Sequence, residues 1–145
     1  MGQETFVVAY DDDTSDTAVL DCAIARASKA GAKLVIIHVL EWSQYSFLSN
    51  EELAERHKRR TEELSRAESH VITPALERAK AAGVEATGIV KHGSVADLVV
   101  KAAATEKAEF IFVGRSGSGE ARARIFGSVP LAIAQIATVP TVIVP

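Results

Sequence analysis

"KLVIIHVL", residues 33–40, is nearly all apolar, and "EFIFVG", residues 109–114, repeats this pattern later in the chain. Such short apolar runs are typical of parallel strands, because helices cover both faces of a parallel sheet. Three more strand-like runs occur, and they read "TFVVAY" at 5–10, "VEATGIV" at 84–90 and "TVIVP" at 141–145. The sequence therefore predicts the five strands of a small parallel sheet.

Helical patterns separate these runs. Residues 16–30 place apolar side chains at helical spacing, and Gly31 supplies a stop signal. A long charged helix is predicted over 50–82, where Pro74 should bend or divide it. The remaining signals are a capping box of Ser49 and Glu52, a stop at Gly83, and two shorter helices over 95–106 and 130–137.

The alternation of strands and helices predicts one domain over residues 1–145. Its fold class is α/β, a doubly wound five-stranded parallel sheet with helices on both faces. A chain of 145 residues with 48% hydrophobic residues is large and apolar enough to bury such a core.

Charge and composition exclude several classes of protein. A net charge of −3 argues against nucleic-acid binding, which depends on a basic surface. The single cysteine, Cys22, leaves no internal disulfide. No apolar run approaches the ~18 residues of a membrane span, and "MGQETF" at the start lacks a secretion signal. We therefore expect a soluble, cytoplasmic protein without membrane insertion.

A ligand site is expected at the carboxyl ends of the strands, where the strand order reverses. In the flavodoxin-like order, the first strand lies at this point. The acidic loop "DDDTSD", residues 11–16, would then face the glycine loop "GRSGSGEARARIFGSV", residues 114–129, across one crevice.

The glycine loop matches no common nucleotide motif but fits a phosphate site. It is not a Walker loop, because Glu120 and Ala121 stand where Lys and Ser or Thr are needed. Its glycine spacing spans two turns and the start of the last helix, where free backbone N–H groups attract anions. The alternative is a glycine-rich connection that binds nothing.

The sequence resembles the universal stress protein family over its whole length. The similar segments are the pattern Gly114-x2-Gly117-x9-Gly127-Ser128, "VVAYD", "LVIIHV", "HGSVADLVVKAA" and "VPTVIVP". This resemblance implies an adenine nucleotide alpha hydrolase-like fold, a homodimer, and a crevice that binds ATP, ADP or AMP.

The resemblance also implies a role for individual residues. Ala9 and Asp11 would line the base and ribose, and the backbone of Val39 would read the adenine edge. The residues expected beside the ribose and phosphates are Val113, Gly114 and Gly117. Those expected to hold the phosphates are Gly127, Ser128 and Val129.

Two features depart from the family pattern. Asp12 and Asp13 follow Asp11, and their carboxylates would repel a triphosphate unless Mg²⁺, Mn²⁺ or an arginine intervenes. The arginines available for this are Arg115, Arg122 and Arg124. The alternative is a solvated acidic turn that caps the first helix. Pro130 removes one N–H donor from the first turn of the last helix.

The histidines and aromatic residues give weaker signals. His38 is expected to be a hydrogen-bonded histidine of the core or its rim, and His92 is a candidate nucleotide contact. Trp42, Tyr45 and Phe47 are expected to pack within their own loop or to cover an adenine ring.

The predicted function is adenine-nucleotide binding in stress response or regulation. No activated nucleophile, general base or phosphoryl-transfer lysine is recognisable, so the chain is not expected to be an enzyme, although slow incidental ATP hydrolysis is compatible with it. The alternative is a nucleotide-independent interaction protein of the same fold. The apolar strand "TVIVP" is predicted to pair with the same strand of a second copy in a homodimer.

Overall fold

The computed structural model describes residues 2–10, 17–41, 50–115 and 128–145. The strands are β1 (Thr5–Ala9), β2 (Lys33–Glu41), β3 (Ala86–Gly93), β4 (Phe110–Gly114) and β5 (Thr141–Val144). The helices are α1 (Ala18–Ala30), α2 (Asn50–Ala67), a π-helical turn (Glu68–Ile72), α3 (Thr73–Ala81), α4 (Val95–Thr105) and α5 (Ser128–Ile136). Each predicted strand and helix is present, with bounds that differ by a few residues at most.

The five strands form one parallel sheet in the order β3-β2-β1-β4-β5. The predicted fold class is therefore confirmed. The expected flavodoxin-like order is wrong, because β3 lies outside β2 and not between β1 and β4. The first strand nevertheless lies where the order reverses, with β2 on one side and β4 on the other.

Each face of the sheet is covered by its own set of helices. The first face is covered by α1, the π-helical turn and α3, whose buried side chains include Leu20, Ala23, Val71, Ile72 and Ala79. The second face is covered by α4 and α5, whose buried side chains include Ala96, Val99, Ala103 and Ile133. Each face of the sheet therefore packs against its helices in a separate apolar cluster.

The long charged helix is divided next to Pro74, as predicted. The Thr73 N–H donates to the Glu68 carbonyl, five residues back, which is the hydrogen bond of a π-helix. Pro74 follows within the first turn of α3, where its missing N–H costs little. The wider turn brings Val71 and Ile72, both buried, onto the first face of the sheet.

A glycine in β3 permits the close approach of this turn. A Cβ atom added at Gly88 would overlap the Cγ2 methyl group of Ile72. Ile72 is 3% exposed and so has little room to move away. Gly88 is therefore required by the packing of the π-helical turn against β3.

We expect Gly88→Ala to lower the free energy of unfolding by about 1–3 kcal/mol, which is typical of overpacking in a core. Gly2→Ala is the matched control, because nothing lies within 4 Å of its added Cβ. The control should stay within about 0.5 kcal/mol of the unsubstituted protein. Urea unfolding of both variants measures the difference, and equal stabilities would contradict this account of Gly88.

Candidate functional site

The candidate site lies at the carboxyl ends of β1 and β4. Ala9 ends β1 and is the Cα partner of Val113 in β4, and Gly114 then ends β4. On its other side, Ala9 is the partner of Ile37, and β2 continues beyond that point to Glu41. The end of β1 is therefore recessed beside β2, at the reversal of strand order where ligands bind in sheets of this kind.

Four of the predicted site side chains share the second face of the sheet. Ala9, Val39 and Val129 are partly buried and pack against the same cluster that contains the buried Val113. They come from β1, β2, α5 and β4, which are separated in sequence. The structure thus places all four against one cluster on the second face, and we call them the apolar surface of the site.

The backbone of Val39 also points toward the recess. The carbonyl of Ile37 accepts from Tyr10 N–H on the β1 side, whereas Leu34 N–H donates to Glu85 on the β3 side. Backbone groups of successive strand residues point to alternate neighbours. The N–H and C=O of Val39 therefore point to the β1 side, as those of Ile37 do, at a level beyond Ala9.

The opposite end of the site is the start of α5. Ser128 and Val129 are the first two residues of this helix, and Pro130 is the third. N–H groups in the first turn of a helix have no intrahelical acceptor, and the helix dipole favours an anion there. The predicted phosphate-binding segment therefore ends in a helix N-terminus, as the sequence indicates.

Several predicted residues lie outside the described residues. Among the site residues these are Asp11, Gly117 and Gly127. The same applies to further candidates, namely Asp12, Asp13, Trp42, Tyr45, Phe47, Ser49, Arg122 and Arg124. Their roles stay predictions from the sequence.

His38 is a buried, hydrogen-bonded histidine, as expected. It is 4% exposed and lies on the first face of the sheet, and its Nδ1 is 2.8 Å from the carbonyl oxygen of Tyr10. Because a carbonyl oxygen only accepts, Nδ1 carries the proton of this bond. The sequence did not reveal this contact with the end of β1.

His92 does not join the other site residues. It follows Val90, which packs on the first face, and its Nε2 is 3.2 Å from Glu63 Oε2 of α2. Its ring therefore lies on the face of the sheet opposite the apolar surface of Ala9 and Val39. A nucleotide contact of His92 is not favoured by this placement.

An ion pair fixes the first turn of α1, which follows the acidic loop. Arg78 of α3 donates through Nε and Nη2 to the two carboxylate oxygens of Asp21, and Thr17 Oγ1 also donates to Asp21 at 2.8 Å. The Arg78 hydrogen bonds lower the pKa of Asp21, partial burial opposes them, and Thr17 adds to the lowering. The same contact raises the pKa of Arg78.

The described residues offer no preformed metal centre. Within ranges 2–10, 17–41, 50–115 and 128–145, no three His, Cys, Asp or Glu side chains come together as metal ligands.

No helix in these ranges has the length and apolar character to span a membrane.

Comparisons with known proteins agree on one family. A model of the universal stress protein family matches residues 3–145. The universal stress protein UspA from Lactobacillus plantarum shares 15% identity over 100% of both chains, with a TM-score of 0.81. A universal stress protein in complex with cAMP shares 27% identity over 99% of this chain and 98% of that one, with a TM-score of 0.67.

A third solved structure is the universal stress protein from Archaeoglobus fulgidus in complex with dAMP. It shares 17% identity over 99% of this chain and 98% of that one, with a TM-score of 0.64. At this level of identity, the first and third likenesses show the fold alone. No curated protein matches the sequence.

The Asp21–Arg78 pair predicts a pH-dependent stability. The pKa of Asp21 lies below its ordinary 3.8, so the pair stabilises the fold at neutral pH, and this stabilisation is lost as the pH falls through the lowered pKa. Asp21→Asn should therefore destabilise the protein at pH 7 more than at pH 2. Both side chains are about half exposed, so salt should reduce the difference.

Urea midpoints at the two pH values measure this effect. Glu85→Gln, an exposed acidic residue between α3 and β3, is the control. A loss on Asp21→Asn that is the same at both pH values would contradict the ionic role of Asp21.

Proposed function

This chain belongs to the universal stress protein family, and we propose that it is a cytoplasmic regulatory protein that binds an adenine nucleotide at the carboxyl ends of β1 and β4. The observation that carries the proposal is the convergence of Ala9, Val39, Val113 and Val129 on one face at the reversal of strand order. Small apolar side chains and a recessed strand end offer room for a flat base.

The base end of the site is proposed to lie against Ala9 and Val39. Adenine carries a donor at N6 and an acceptor at N1 on one edge. The C=O and N–H of Val39 point to the β1 side and offer the complementary pair. This backbone contact would select adenine without a charged side chain.

The phosphate end is proposed to use backbone N–H groups. Gly114 leads into the glycine loop, and Ser128 and Val129 begin α5. A helix N-terminus binds phosphate through its free N–H groups and its dipole. The complex of a 27% identical family member with cAMP supports an adenine nucleotide as the ligand. We propose ATP, ADP or AMP for this chain.

The bound nucleotide is proposed to act as a conformational signal in stress response, not as a substrate. The side chains that surround the described part of the site are Ala9, Val39, Val113 and Val129, and none of these can act as a nucleophile or general base. Any ATP hydrolysis should be slow and incidental.

Asp12 and Asp13 suggest that a metal ion accompanies a triphosphate. Two carboxylates after β1 would repel the phosphates, and Mg²⁺ or Mn²⁺ would remove this repulsion. Under this proposal, the cation raises the affinity for ATP far more than that for AMP.

A homodimer through β5 is the second part of the proposal. Residues 128–145 contain no charged residue. Leu131, Ile136 and Ile143 of this segment are 58%, 44% and 44% exposed. β5 is an edge strand whose one partner in the described sheet is β4. Pairing with a second copy would cover this edge and its apolar side chains.

Calorimetry of nucleotide-stripped protein tests the site. The unsubstituted protein should bind AMP, ADP and ATP, and Ala9→Leu should abolish measurable binding because the larger side chain fills the recess. Ala54→Leu on the exposed surface of α2 is the matched control and should bind normally. If folded protein shows neither heat nor a thermal shift with millimolar ATP, the nucleotide proposal fails, and the result favours the alternative of a nucleotide-independent interaction protein.

Sedimentation at micromolar concentration tests the dimer. Ile143→Lys should give a folded monomer, because a charge placed at the centre of the β5 edge would oppose pairing. Leu53→Lys is the control, since Leu53 is 50% exposed on α2, away from β5. A monomer of the unsubstituted chain would overturn this assembly.

A further inference from the structure

We propose that His38 is a positioning residue of the nucleotide site, which holds the Tyr10 carbonyl so that the backbone edge of Val39 stays available to the base. This inference rests on the proposed function. It adds a residue whose side chain lies on the face of the sheet away from the apolar surface of the site.

The hydrogen bonds at the end of β1 carry the argument. Tyr10 N–H donates to the Ile37 carbonyl at 2.9 Å. In a regular parallel ladder, the carbonyl of Tyr10 would next accept from Val39 N–H. The side chain of His38 occupies this acceptor instead, with Nδ1 at 2.8 Å from the Tyr10 oxygen. The imidazole thus donates to the carbonyl that Val39 N–H would have bonded in a regular ladder.

The buried state of the imidazole supports a dedicated role. His38 is 4% exposed, and its Nε2 has no hydrogen-bond partner among the described residues. An unpaired buried nitrogen is unfavourable, and an apolar side chain of similar size would avoid this cost. The Nδ1 bond to Tyr10 is the one polar contact of the ring in the described residues, so the ring is placed by that bond.

The alternation of side chains along β2 links the His38–Tyr10 hydrogen bond to the site. His38 and Val39 are consecutive, so their side chains lie on opposite faces of the sheet. The hydrogen bond from His38, on the first face, fixes the peptide of Tyr10 where the acidic loop begins. The N–H and C=O of Val39 can then face the N1 and N6 atoms of adenine.

Two substitutions separate the bond from the bulk of the ring. His38→Asn places an amide N–H near the position of Nδ1, and His38→Gln places it near the position of Nε2. We expect the asparagine variant to keep AMP affinity within about threefold, and the glutamine variant to lose about tenfold, as for the loss of one hydrogen bond. His57→Gln, on the exposed surface of α2, is the control.

A comparison of ligands distinguishes positioning from a general structural role. AMP, IMP and ribose 5-phosphate are titrated into each variant and followed by calorimetry and NMR. IMP presents a donor at N1 and an acceptor at O6, the reverse of adenine. The glutamine variant should lose the preference for AMP over IMP, while its weak affinity for ribose 5-phosphate stays unchanged.

Each result decides the matter. An equal loss for AMP and ribose 5-phosphate, or equal AMP affinity of the asparagine and glutamine variants, would overturn the role of His38 and leave the nucleotide site intact. Absence of AMP binding to the unsubstituted protein would overturn both proposals. If the glutamine variant does not fold, His38→Leu replaces it, since an apolar side chain removes the bond without leaving an unpaired nitrogen: loss of its AMP-to-IMP preference supports the role, and retention overturns it.

Discussion

The unequal lengths of β1 and β2 determine which backbone groups this sheet leaves available at its carboxyl end. β1 ends at Ala9, opposite Ile37, whereas β2 continues to Glu41. Where two strands run side by side, the ladder uses their facing N–H and C=O groups. Val39 lies beyond the last pair of β1 and β2, so its N–H and C=O have no partner strand among the described residues. A recess with directional hydrogen-bonding groups results. The reversal of strand order places this recess between the helices of the two faces.

The two faces of the sheet contribute differently at this edge. On the second face, side chains from β1, β2, β4 and α5 form an apolar surface. On the first face, the same edge carries polar contacts, with His38 bonded to Tyr10 and His92 bonded to Glu63. The first face therefore holds the backbone at this edge through polar contacts, and the second face presents small apolar side chains beside it. The proposed recognition of a base through backbone groups would draw on both faces.

The element types could be predicted from sequence because local patterns determine them. Apolar runs such as 33–40 predicted strands, and Gly31 ended α1 in the left-handed conformation, with φ of 66°. The strand order could not be predicted in the same way, since a right-handed crossover from β2 to β3 fits either position of β3. The π-helical turn next to Pro74 depends on the fit of Ile72 against Gly88, which is a contact between distant residues.

The candidate site was predictable to a similar degree. Family resemblance identified Ala9, Val39, Val113 and Val129, and the structure places them on one face. The contact of His38 with Tyr10 was missed because residues 28 positions apart give no shared local pattern. A histidine inside an otherwise apolar strand was the one available signal. It indicated a bonded side chain but not the partner.

The two ends of the glycine loop, residues 114–129, are anchored by different kinds of contact. At one end, Arg115 N–H donates to the Val144 carbonyl at 2.7 Å, which fixes the exit from β4. At the other end, α5 is held by the fully buried Ile133. The first anchor joins two main-chain groups, so it does not depend on which side chain stands at position 115. The second depends on the packing of one apolar side chain, so position 133 tolerates far less change than position 115.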